Sequence, residues 1–255
     1  VGDGDNTISN RGARSTITGG VGNGIVENEA SLAVIDAGAG VDLITNVGAA
    51  STIIAGIGAD SIVNNGAGAC VDGGLGADDI INSVGGDNST VNAGAGADLI
   101  VNYAASAQLR GGAGADSITV GTNVSAITFT DLNRVEDAIY FEEPLDEHSF
   151  DTREVDDNLS LFSESATLNF NDRVLDEISD YTVNNGGNVI TIKDLLLPTL
   201  KSPAAAIDLS EAGTTGAFVV DGFATLDDGA DFYDAEFKTA VGITDIVVGT
   251  VDNIR

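Results

Sequence analysis

At 255 residues, 43% of them hydrophobic, the chain has room for one elongated domain or two compact ones and enough apolar mass to bury a core. Its 40 acidic residues against 10 Lys and Arg give a formal net charge of −30. That charge leaves no basic patch to follow a phosphate backbone, so nucleic-acid binding is excluded, and it opposes an anionic membrane surface. A single Cys excludes an internal disulfide framework, and no run approaches the roughly 18 apolar residues of a membrane span. The 33 Gly, set among many Ala, Val and Ile, suit short strands joined by tight turns. The chain opens at Val1 inside a repeat and without Met, which reads as a processed product or a fragment.

From the first residues onward the pattern Gly-x-Gly-x-(Asp/Asn)-x-(Ile/Val)-x-Asn recurs, with opening glycines Gly2, Gly20, Gly38, Gly56, Gly74, Gly94 and Gly112. The spacing is 18 residues, apart from a step of 20 between Gly74 and Gly94, where Gly85-Gly86-Asp87 reads as a loop insertion. One apolar column is Ile8, Val26, Ile44, Ile62, Ile80, Ile100 and Ile118; half a repeat later comes Ile17, Ile35, Ile53, Val71, Val91, Leu109 and Ile127. Two inward ladders half a period apart predict a coil with two short parallel strands per turn. Turns stacking at about 4.8 Å make seven of them a rod of roughly 34 Å.

Two polar columns accompany the ladders. Asn10, Asn28, Asn46, Asn64, Asn82 and Asn102 predict stacked amides, each donating to one neighbour and accepting from the other at a buried corner. In the turn before the first strand of each repeat stand Asp42, Asp60, Asp78, Asp98 and Asp116, with Asn6 and Gly24 at that place in the first two turns. Like charges about 4.8 Å apart repel by ~1 kcal/mol in water and by more when shielded, so the row calls for cations. The glycines before each Asp free the backbone to offer carbonyl oxygens, as a hard cation such as Ca²⁺ requires. Among the outward positions, Val63, Ile81, Leu99 and Val101 form an apolar stripe that predicts a packing partner.

Gly73-Gly74-Leu75-Gly76-Ala77-Asp78-Asp79-Ile80 and Gly111-Gly112-Ala113-Gly114-Ala115-Asp116-Ser117-Ile118 resemble the Gly-Gly-x-Gly-x-Asp-x-apolar-x nonapeptide of the RTX calcium-binding repeat family. The resemblance covers roughly residues 2–128 and implies an all-β fold, a right-handed parallel β-solenoid of the β-roll type. It also implies Ca²⁺ held by the carboxylates of Asp42, Asp60, Asp78, Asp98 and Asp116 with backbone carbonyls of Gly38, Gly56, Gly74, Gly94 and Gly112. Carried over pair by pair, ions would lie between Asp42 and Asp60, Asp60 and Asp78, Asp78 and Asp98, and Asp98 and Asp116. The sequence departs from the family in three ways. Alternate half-turns such as Gly48-Ala49-Ala50-Ser51 lack the motif, Ala replaces the first Gly at Ala37, Ala55 and Ala93, and Gly24 breaks the first site. One side of the roll is therefore expected to be metal-free.

Past Ile127 the period stops, and the organisation reads as a solenoid over 1–130, an acidic linker or cap over 131–160 and a β-rich C-terminal domain over 161–255. Strands are predicted at Ala166–Phe170, Tyr181–Val183, Val189–Ile192, Ala217–Val220 and Thr244–Val248, with Asn184-Asn185-Gly186-Gly187-Asn188 closing a hairpin and a short helix around Asp231–Ala240. The lone histidine, His148, falls in the acidic segment, so neither a Ser-His-Asp triad nor a two-histidine zinc motif can form, and no Gly-x-Ser-x-Gly elbow is present. Cys70 lies on a strand without a local base.

These readings point away from an enzyme. They favour a secreted, cell-surface structural protein, stabilised by calcium and assembled head-to-tail into a filament, layer or matrix, with a glycan or another surface molecule as a further partner. The alternative is a non-catalytic β-roll module of a larger RTX-like adhesin or exported enzyme.

Overall fold

The computed structural model describes residues 2–196 apart from 123–124, 134, 146–149, 157, 164–165 and 174. In chain order the strands are β1 (Thr7–Asn10), β2 (Thr16–Val21), β3 (Ile25–Asn28), β4 (Val34–Ala39), β5 (Leu43–Asn46), β6 (Thr52–Ile57), β7 (Ser61–Asn64), β8 (Cys70–Leu75), β9 (Asp79–Asn82) and β10 (Ser89–Ala95). They continue as β11 (Leu99–Asn102), β12 (Ser106–Ala113), β13 (Ser117–Val120), β14 (Ala126–Phe129), β15 (Ala138–Phe141), β16 (Asp151–Val155), β17 (Asn158–Phe162), β18 (Thr167–Phe170), β19 (Thr182–Asn185) and β20 (Asn188–Thr191). Two 10-stranded sheets result, one ordered β1-β3-β5-β7-β9-β11-β13-β15-β19-β20 and the other β2-β4-β6-β8-β10-β12-β14-β18-β17-β16. Successive strands of a sheet come from successive coils and run parallel, which makes a β-solenoid of about seven turns.

The inward columns fall in register as the period predicts: Ile8 pairs with Val26, Val26 with Ile44, Ile44 with Ile62 and Ile62 with Ile80. In the second sheet Ile35, Ile53, Val71, Val91 and Leu109 form the matching row. Ile35, Ile44, Ile53, Ile62, Ile80 and Ile100 are wholly buried, so each contributes roughly 1.5–3 kcal/mol of hydrophobic stabilisation. β-branched side chains supply this because their restricted rotamers suit a pleated, fully covered surface.

One predicted column needs correcting at its end. Below Leu109 lies Phe129, not Ile127, which instead pairs with Ala107. The step there is 20 residues rather than 18, since extra residues between β13 and β14 shift the register by two. Because the shift is even, the inward face stays inward.

The parallel ladder also shows no break at residue 130. β15 pairs with β13 across a 21-residue step, and β18 pairs with β14 across 41 residues, the excess being looped out. The looped-out segment forms β16 and β17, and β17 then runs antiparallel to β18. β19 and β20 close the other sheet as an antiparallel hairpin at Gly186-Gly187, where φ of +58° and +93° is a conformation that glycine adopts freely. The compact unit containing these strands ends at Leu196. The strands expected at Ala217–Val220 and Thr244–Val248, and the helix around Asp231–Ala240, lie outside the described residues.

Stacking brings backbone against backbone at the corners. A Cβ placed on Gly76, where φ is +140°, would lie 1.6 Å from the carbonyl oxygen of Gly58 in the coil before it. Gly76→Ala is therefore expected to cost about 3 kcal/mol or more, a fall of roughly 6–12 °C in melting temperature for a unit of this size. Thermal unfolding followed by circular dichroism checks this, and an unchanged melting temperature would contradict the stacking.

Candidate metal centre

The glycine-rich loop that ends each even-numbered strand from β2 to β12 turns the chain into the next odd-numbered strand. The residue just before that strand heads the coil's first corner, and the register places Asp42, Asp60, Asp78, Asp98 and Asp116 there in one line. All five are at most 2% exposed. Their glycine partners Gly38, Gly56, Gly74, Gly94 and Gly112 share φ values between +104° and +116°, so all five loops turn the same way.

Each carboxylate uses one oxygen to tie two coils together. Oδ1 of Asp60 accepts the backbone N–H of Asp42 at 2.8 Å, and Asp78, Asp98 and Asp116 accept those of Asp60, Asp78 and Asp98 at 2.8, 2.8 and 2.9 Å. Asp42 accepts from Gly24 in the same way. The other oxygen, Oδ2, is buried without any hydrogen-bond partner in all five residues. Leaving a buried polar atom unpaired costs about 1–3 kcal/mol, and more when it carries charge. Five in a row is a systematic feature of the corner.

The electrostatics agree with that geometry. Burial pushes the carboxyls of Asp60, Asp78, Asp98 and Asp116 above the usual carboxylate range; the N–H donor from the neighbouring coil opposes this, and the adjacent carboxylate adds to it. The space beside two of the oxygens is held open by missing side chains. A Cβ at Gly73 would meet Asp78 Oδ2 at 2.7 Å, and one at Gly111 would meet Asp116 Oδ2 at 2.5 Å. Among the described residues no three His, Cys, Asp or Glu side chains converge on one point. A cation in this row would therefore be held by carboxylates from adjacent coils together with main-chain carbonyls, an all-oxygen set that suits Ca²⁺.

Both ends of the row differ. At one end Asp137, reached by the 21-residue step, accepts the N–H of Asp116 with Oδ1 at 3.1 Å, while its Oδ2 accepts the N–H of Asn133 at 2.7 Å. No oxygen of Asp137 is orphaned. Tyr181 fixes this residue further by donating its hydroxyl to the Asp137 carbonyl at 2.8 Å, and burial raises the Tyr181 pKa. At the other end Gly24 follows Asp42 with no side chain, and one coil further Asn6 donates Nδ2 to the carbonyls of Gly2, at 2.8 Å, and Gly4 within its own loop. Asp137 carried a sequence signal that the period alone did not catch: Asp137-Ala138-Ile139 repeats Asp116-Ser117-Ile118, but without glycines in front.

The opposite corner is held by amides. Asn10, Asn28, Asn46, Asn64 and Asn82 each donate Nδ2 to the Oδ1 of the next at 2.6–2.8 Å, and Asn102 ends the ladder by donating to the Ala104 carbonyl. Ser51 and Ser89 add hydroxyls that accept from Asn28 and Asn64. Every amide there has a donor and an acceptor role to fill, so this corner needs no ion. Cys70 faces outward and is exposed; His148 lies outside the described residues. In the predicted apolar stripe Ile81 and Leu99 are exposed and Val63 and Val101 half-buried.

No protein-family model matches the chain, and no curated protein matches it. Among solved structures it is similar to the extracellular lipase LipA from Serratia marcescens, at 16% identity and a TM-score of 0.25, over 71% of this chain and 38% of that one. The chain thus spans well under half of the lipase.

Proposed function

We propose that this chain is a calcium-stabilised β-roll of the RTX type, serving as a non-catalytic, rigid module of an exported protein. The observation that carries the reading is the row of five buried, unpartnered Oδ2 atoms at one corner, set against a fully hydrogen-bonded amide ladder at the other. Calcium would supply positive charge beside the Oδ2 atoms, which no protein donor reaches. Five carboxylates in line enclose four intervals, between Asp42 and Asp60 through to Asp98 and Asp116. The backbone donors already hold each Oδ1, so the carboxylates are pre-oriented and only Oδ2 and the loop carbonyls remain to be neutralised. Such a device suits the millimolar calcium outside cells, where weak sites fill.

The module reading is favoured over a head-to-tail homopolymer by the way both sheets finish. Past the parallel ladder lie antiparallel strands, β20 on one sheet and β16 and β17 on the other. Among the described residues, then, the parallel register that stacking copies would continue is not presented beyond these strands. The net charge of −30 also keeps copies apart at low ionic strength.

Calcium titration of chelated protein is the test. Far-ultraviolet circular dichroism should gain β signal, and native mass spectrometry should count about four bound ions. A β signal and melting temperature that ignore both calcium and chelator would remove the proposal.

A further inference from the structure

We propose that asparagine at the corner position takes the place of the cation, so that a single side chain sets whether each coil depends on calcium. This inference rests on the calcium reading and extends it to the chain's own first turn. The register makes Asn6 the equivalent of Asp42 and the carboxylates beyond it: Thr7 pairs with Ile25 and Ile25 with Leu43, and each follows the corner residue directly. Its Nδ2 donates to the carbonyls of Gly2 and Gly4, four and two residues back in the same loop. Those two carbonyls therefore converge on the side chain that heads the strand.

In a carboxylate coil the corresponding backbone groups belong to Gly56 and Gly58 for Asp60. There the side chain carries Oδ2, a buried acceptor without a partner, where Asn6 carries a donor. A buried acceptor left unpaired calls for a positive charge beside it, whereas an amide N–H₂ donates to the carbonyls of its own loop directly. Both side chains keep an oxygen free for the N–H of the preceding coil, the bond that Asp60 makes to Asp42. The exchange of Asp for Asn thus alters one atom, Oδ2, and replaces an unpaired acceptor by a satisfied donor. At the far end Asp137 reaches the same result by another route, since the N–H of Asn133 satisfies its Oδ2. The ion row thus ends against Asp137 on one side, and on the other Gly24, which has no side chain, separates Asp42 from Asn6.

Asp60→Asn and Asp60→Ala, each compared with the unchanged protein, test the inference. In excess chelator Asp60→Asn should melt several degrees above the unchanged protein, and Asp60→Ala should melt below Asp60→Asn, having lost the bond to Asp42. In calcium the order of the first two should reverse, and native mass spectrometry should count at least one ion fewer for Asp60→Asn. The reciprocal variant is Asn6→Asp, in the first described coil. Without calcium its β1 and β3 amides should exchange roughly tenfold faster than in the unchanged protein, and added calcium should restore part of that protection. If the unchanged protein binds calcium but Asp60→Asn gains no stability in chelator, the inference is overturned and the calcium reading survives. If the unchanged protein binds no calcium, the calcium reading falls and this inference with it.

Discussion

Chelation at neutral pH should lower the melting temperature by on the order of 20–40 °C, and mild acid should act in opposite directions on the chelated and the calcium-loaded protein. The size follows from linkage. Each site held at a hundredfold excess over its dissociation constant contributes about 2.7 kcal/mol, so four contribute on the order of 10 kcal/mol, comparable with the whole stability of a domain. The sign of the pH effect follows from the carboxyls of Asp60, Asp78, Asp98 and Asp116. Without metal, burial raises them above their values in the unfolded chain. Their contribution is then fully present below the ordinary carboxylate pKa of about 4 and is lost as pH rises through the raised folded value.

With calcium bound the ionised form is the favoured one, so the folded values lie below the unfolded ones. Stability is then present above about pH 4 and lost as pH falls. Acid also relieves the general repulsion of a chain carrying −30, in both states alike. The informative quantity is therefore the difference between the two curves, taken in about 0.5 M salt to screen surface charge. Melting temperatures from pH 7 down to about pH 5 should converge. Parallel curves would mean that no cation sits against these carboxylates.

Much of this corner was legible in the sequence, because a solenoid turns an arithmetic period into a spatial line. The inward isoleucines, the stacked asparagines, the carboxylate column and the hairpin at Gly186-Gly187 all follow from equal turn lengths and local turn chemistry. Two kinds of information were not legible. Where an insertion alters the period, counting in steps of 18 assigns the wrong neighbour, as at Ile127, and misses real members such as Asp137 and β18. Nor does a column of Asp say which oxygen faces the next coil. That one oxygen bonds backbone and the other bonds nothing is a property of the loop's hand, which depends on positive φ at glycines such as Gly74.

Asn64→Leu should destabilise the calcium-loaded protein by about 4 kcal/mol, whereas Asn102→Leu should cost only about 1–2. The two asparagines are alike in type and burial and differ in what depends on them. Asn64 sits mid-ladder: its Oδ1 accepts from Asn46 and from the backbone N–H of Gly66, and its Nδ2 donates to Asn82, Gly66 and Ser89. Leucine there removes the donor to Asn82 Oδ1 and the acceptor for the Gly66 N–H, while Asn46 keeps its bond to the Gly48 carbonyl. Asn102 is the last rung, since Val120 follows it in the register, and its own amide donates to the Ala104 carbonyl. Its loss deprives Asn82 of one of two acceptors, the Gly86 carbonyl remaining. The comparison therefore measures the ladder as a chain of dependent bonds rather than as a set of turn-favouring residues. Equal losses at the two positions, read from urea unfolding in calcium, would show that the amides act singly, and the idea of an ion-free corner held by relayed hydrogen bonds would fail.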